Sequence, residues 1–140
     1  MSNAPAAPHK HLFARLRISP GRGVGVFAIR DMPAGINPFQ GDECGAVRVP
    51  QAEVEALKPA LRQMYLDFCP LVDGAYVAPV SFNRMTIAWY MNHADQPNVA
   101  ADLRIDFVTL RPIAAGEELT VDYTTFSDHA RAYVEAWRGG

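Results

Sequence analysis

Two cysteines in 140 residues, Cys44 and Cys69, are too few for a disulfide framework, and with no CxxC arrangement they do not suggest a structural zinc site. Buried free thiols are the simpler reading. No apolar run approaches the roughly 20 residues of a membrane span, so no membrane association is expected. The first residues, 1–11, carry Pro5 and Pro8 among small side chains and lack the apolar centre of a signal peptide. They read as a flexible leader ahead of one domain over 12–140, and the cytoplasm is the expected location, with the nucleus left open. Positive charge is not in excess: 13 Lys and Arg stand against 15 Asp and Glu, a formal net charge of -2 with both signs dispersed. Without a basic stripe, direct nucleic-acid binding is disfavoured.

What the chain does have is a globular balance, 49% hydrophobic and 20% charged, enough for a single core. Residues 12–18 alternate Ala14, Leu16 and Ile18 with Arg15 and Arg17, which predicts a half-buried strand ended by Pro20 and Gly21. Val24, Val26 and Phe27 continue as strand, so the glycines at 21, 23 and 25 do not open a helix as a dinucleotide-binding fingerprint must. Short strands are expected at 36–40 and 46–49. Residues 51–68 carry Val54, Leu57, Leu61, Met64, Tyr65 and Phe68 at helical spacing, with Pro59 dividing the segment and a face given to core packing. A strand follows at 76–80. Residues 84–91 fit a short helix or a buried strand, with helix preferred. Strands are expected again at 103–107 and 119–122. Ala130, Tyr133, Val134 and Trp137 then fall at i, i+3, i+4 and i+7, predicting a closing amphipathic helix over about 127–138. Many short strands with Gly and Pro turns describe a mostly β, α+β domain.

Three blocks could carry chemistry. Gly23-Val24-Gly25 offers backbone that a ligand can approach, or is simply turn chemistry. Asn92 and His93 follow the apolar run 87–91 and can present donors and acceptors to one ligand; alternatively Asn92 caps a turn and His93 is a satisfied core histidine. Pro97 and Asn98 read as a turn. Glu117 and Glu118 are neighbours in a strand, pointing to opposite faces, which argues against a paired-carboxylate acid and base. Tyr123 ends that strand beside Asp122. A metal held by His93, Asp95 and Asp122 is a weak reading, since no second histidine stands at ligand spacing, and no metal is expected.

In order along the chain, the glycine block, Asn92-His93 and Gly116-Glu117-Glu118-Leu119 with Tyr123 resemble the SET-domain family of protein-lysine methyltransferases over about residues 12–126. The resemblance implies a fold of several small twisted sheets in which the C-terminal segment threads under a loop, an exception to the usual avoidance of threading. It implies S-adenosylmethionine as cofactor, held by Gly23, Val24, Gly25, Asn92 and His93, with Tyr123 as the catalytic hydroxyl. It implies a protein or peptide partner presenting a lysine, with Phe39 and Tyr90 on the substrate side. The sequence departs from the family in several places. Phe39-Gln40-Gly41-Asp42 replaces a Tyr-x-Gly-Glu segment, Trp89 stands where an arginine is common, and Thr125 occupies a position often aromatic. Asp95 replaces a cysteine, and the zinc-holding cysteines after Tyr123 are missing. The channel must then be walled otherwise, and Phe126, Tyr133 or Trp137 is expected to cover cofactor or channel. An exposed Trp89 would mark a homodimer contact, a buried one core packing. Two rivals stay open: a SET-like module that binds cofactor or peptide without transfer, and a β-rich scaffold with no ligand.

Overall fold

The computed structural model of the chain describes residues 9–41, 45–101, 106–125 and 127. The expected closing helix, Phe126 and the passage of the C-terminal segment on which threading turns lie outside the described residues, as does most of the leader. No helix among the described residues is long and apolar enough to cross a membrane.

Strand β1 (Ala14–Ser19) turns back on β2 (Gly23–Ala28) in an antiparallel hairpin that pairs Ala14 with Ala28 and Ser19 with Gly23. Ala14, Val26 and Ala28 are buried on one face while Arg15 and Arg17 are exposed on the other, but at the turn end the expected alternation fails: Ile18 is 81% exposed and Ser19 is buried. Far along the chain, β9 (Glu118–Val121) lies antiparallel against β2, with Val26 opposite Leu119 and Phe27 opposite Glu118. Its other edge takes β6 (Asn92–His93) in parallel, Asn92 opposite Thr120 and His93 opposite Val121. The sheet order is therefore β1-β2-β9-β6. Leu119 and Val121, 0% and 3% exposed, point into the first core with Met91, Val99 and Ile113. By the period of two, Glu118 and Thr120 point the opposite way.

A second sheet, ordered β3-β5-β4, contains β3 (Ala46–Pro50), β4 (Leu71–Val72) and β5 (Ala75–Pro79). Asp73 and Gly74, with φ of 50° and 79°, close the β4–β5 hairpin; both central residues at positive φ suit a tight two-residue turn. The helical region divides at Pro59 as expected, into α1 (Gln51–Glu55) and α2 (Pro59–Phe68), because proline is tolerated only in a first helical turn. Val54, Cys69, Tyr76 and Ala78 form a second core, against which Leu57, Tyr65, Leu66 and Phe68 pack. Leu61 instead stays exposed, so the apolar face of α2 is only partly used. A two-stranded sheet joins β7 (Val99–Ala101) to β8 (Phe107–Thr109).

Two local expectations are corrected. Residues 36–40 form no strand: Ile36 makes a single backbone bond to Thr109 and 38–40 turn, where the Asn37 Oδ1 accepts the Phe39 N–H at 2.9 Å, a local bond that competes with ladder pairing. Residues 84–91 are neither α-helix nor strand but 3-10 turns at Phe82–Arg84 and Ile87–Tyr90. Ala88 and Met91 enter the first core, with Ile87 and Tyr90 packed against it, while Trp89 packs against the second. A segment lodged between two cores is apolar on all sides and shows neither periodicity.

Candidate functional site

The sheet order brings together two blocks separated by more than sixty residues. On the face of β9 away from the core, Asn92 Nδ2 donates to the Val24 carbonyl at 3.1 Å and to Glu118 Oε2 at 2.8 Å. Ser19 Oγ donates to the other carboxylate oxygen of Glu118 at 2.8 Å. Gly25 lies beneath this contact: a Cβ added there would stand 2.4 Å from Glu118 Oε2 and 2.9 Å from Asn92 Nδ2. The missing side chain at 25 thus makes room for a protein carboxylate. Gly23, at φ +80°, differs; an added Cβ would meet nothing within 4 Å, so its backbone borders open space.

His93 Nδ1 accepts the backbone N–H of Tyr123 at 3.1 Å, so the ring proton sits on Nε2, which is 2.9 Å from Asp95 Oδ1 and donates to it. Both ring nitrogens are turned to the protein. The His93 carbonyl accepts from Arg22 Nη1 at 2.6 Å, tying the β1–β2 turn to β6. The Asp122 carboxylate lies 3.6 Å from Nδ1 and accepts from the backbone N–H and hydroxyl of Thr124 at 2.9 and 2.6 Å, capping the 3-10 turn Tyr123–Thr125. His93, Asp95 and Asp122 do meet, but the carboxylates sit at opposite ring nitrogens with hydrogen bonds of their own. Among the described residues no group of three or more His, Cys, Asp and Glu could hold a metal ion.

Tyr123 is held at both ends. Its backbone is fixed by His93, its ring lies 5.6 Å from the imidazole centroid, and its hydroxyl donates to the Met91 carbonyl. The phenol oxygen thereby sits at the start of the Asn92-His93 block. Tyr90 is half-buried, edge-on to Phe68 at 5.5 Å. Phe39 is 8% exposed and packs edge-on against Phe107 at 5.0 Å; the contact it makes is core packing, and it presents little surface to a substrate.

Asn98, expected only as a turn residue, serves the sheet. It is 2% exposed, donates from Nδ2 to the Glu118 carbonyl and accepts the Thr120 N–H on Oδ1, both at 2.8 Å. The amide supplies the two ladder bonds that the short β6 does not reach. Glu118 was passed over, because neighbouring carboxylates suggested only that one would face away. Indeed Glu117 does: hydrogen bonds from the Ala114 backbone and then from Arg111 lower its carboxyl below the ordinary value. A usable signal was the spacing, since Glu118 shares a strand face with Thr120 and hence with whatever pairs beside it.

A model of the SET domain matches residues 11–124. The chain is also similar to Histone-lysine N-methyltransferase Set2 of Drosophila melanogaster, 39% identical over 69 residues, a stretch covering 39% of this chain and 3% of that protein.

Proposed function

Because this chain belongs to the SET-domain family, matched over residues 11–124, we propose that it transfers a methyl group from S-adenosylmethionine to the side-chain amine of a lysine in a protein substrate. The carrying observation is that Asn92 is hydrogen-bonded to the glycine strand at Val24 while its chain neighbour His93 is hydrogen-bonded to Tyr123, which brings the three blocks to one place. The residues fit a methyl donor bearing an ammonium. Gly23 and the exposed Val24 border open space, and both protons of the Asn92 amide are committed to Val24 and Glu118, leaving Oδ1 to accept from a cation. When bound, S-adenosylmethionine supplies a methyl carbon on a sulfonium, and displacement by an amine leaves a neutral thioether.

The chain's own task is to present a neutral amine in line. Free lysine has a pKa near 10.4, and an apolar surrounding disfavours its ammonium form without a dedicated base. The Tyr123 hydroxyl donates a hydrogen bond to the Met91 carbonyl and keeps lone pairs on its oxygen to accept an N–H of the amine and aim the nitrogen lone pair. The capped 3-10 turn and the His93 bond keep that oxygen from drifting as the C–N bond forms, a preorganised placement of the kind that lowers barriers. After transfer the methylated ammonium releases its extra proton to solvent.

Calorimetry with S-adenosylmethionine, followed by incubation of lysate proteins with methyl-labelled cofactor, tests the proposal. Binding with label on protein lysines is the expected result. Binding without label would point to a module that holds the cofactor and does not transfer, and no binding would refute the reading.

A further inference from the structure

We propose that Glu118 is a positioning residue of the donor site, its carboxylate deciding which way round the Asn92 side-chain amide lies. What the amide then binds rests on the methyl-donor reading above; the positioning rests on contacts within the chain. Asn92 Nδ2 is flanked by two groups that only accept, the Val24 carbonyl at 3.1 Å and Glu118 Oε2 at 2.8 Å. Turning the amide by half a rotation would set Oδ1 against both oxygens, with no proton between them. The carboxylate therefore excludes the flipped state, and the bond it accepts from a donor while charged is of the stronger kind. Oδ1 is held on the opposite side, where the matching ligand group is an ammonium.

Two further residues keep Glu118 in place. Ser19, 2% exposed, donates to Oε1 at 2.8 Å and stops the carboxylate from rotating. Gly25 provides the space, since a Cβ there would overlap Oε2 and crowd Nδ2. The three come from β1, β2 and β9, so the hairpin at the start of the chain is shaped to fit a carboxylate that arrives almost a hundred residues later.

The test uses the full chain with Glu118→Ala and Glu118→Gln, read by the side-chain amide proton signals of Asn92 in the ligand-free protein and by calorimetry and turnover with S-adenosylmethionine. Alanine should move the Asn92 signals toward those of a solvated amide and weaken cofactor affinity about tenfold or more. KM for the cofactor should rise in step, while kcat at saturation stays within about twofold. Glutamine can offer its carbonyl to Asn92 and its NH2 to the Ser19 oxygen, and should restore both readouts most of the way. Unchanged Asn92 signals in Glu118→Ala, or glutamine as damaging as alanine at equal melting temperature, would overturn the proposal. Should Glu118→Ala not fold, Gly25→Ala displaces the carboxylate without deleting it, and the same amide signals decide. A wild-type protein with ordered Asn92 signals but no affinity for S-adenosylmethionine would remove the donor reading while leaving the positioning of the amide established.

Discussion

Val54 and Leu119 are 1% and 0% exposed, yet what lies over them differs. Val54 belongs to a core closed by aromatic edges, with Tyr65 at 5.2 Å from Phe82 and 6.0 Å from Tyr76. Leu119 lies in a strand whose outer face carries Glu118 and whose edge is completed by the Asn98 amide. Apolar packing tolerates small shifts, whereas hydrogen bonds fail steeply with distance and angle. The second core can therefore set stability, while the first must also hold positions to within fractions of an ångström.

This contrast makes ordered predictions. Leu119→Ala should be the most damaging, costing about 2–5 kcal/mol by cavity formation and, by loosening β9, weakening cofactor binding as well. Urea unfolding and calorimetry on one preparation would check that both fall together. Asn98→Ala leaves two β9 backbone groups without their partners and should cost about 2–4 kcal/mol, again with reduced affinity. In Val54→Ala the loss should be smaller, on the order of 2 kcal/mol, and the folded protein should keep its affinity. If Val54→Ala weakened the cofactor as strongly as Leu119→Ala, the division between the two cores would not hold.

The second core also has a pH signature. Burial raises the Cys69 thiol from 9.0 to about 12. The folded chain keeps this proton where the unfolded chain releases it, so the associated stability is complete below about pH 9 and is lost as pH rises toward 12. The expected slope is about 1.4 kcal/mol per pH unit for one proton. Tyr76 is raised as well, by burial first and then by Glu55 and Cys69, and adds the same sign at higher pH. In denaturant midpoints followed across pH 9, Cys69→Ala should flatten the first part of the decline and leave the later part.

The sequence made the hairpin, the division at Pro59 and the GEEL strand legible, because alternation, a proline and a glycine turn each act over a few residues. The three blocks could be matched to a family but not to one another, since β2, β6 and β9 meet only through long-range pairing. The 3-10 turn at Ile87–Tyr90 was obscured by its double burial, and the turn at Asn37 by a side-chain bond that composition does not announce. Asn98 and Glu118 illustrate the same limit: each looks like ordinary turn or surface chemistry until the strand it serves is in place. At Gly25 the space a side chain would take is filled by Glu118 and Asn92, a demand that its own neighbours in the chain do not announce.

The most direct measurement is Tyr123→Phe, assayed for S-adenosylmethionine binding and for methyl transfer in the same preparation. The backbone bond to His93 does not involve the hydroxyl, so affinity should stay within about threefold while kcat falls by about a hundredfold or more. Undiminished turnover in this variant would contradict the assignment of the phenol, and with it the methyl-transfer site built around it.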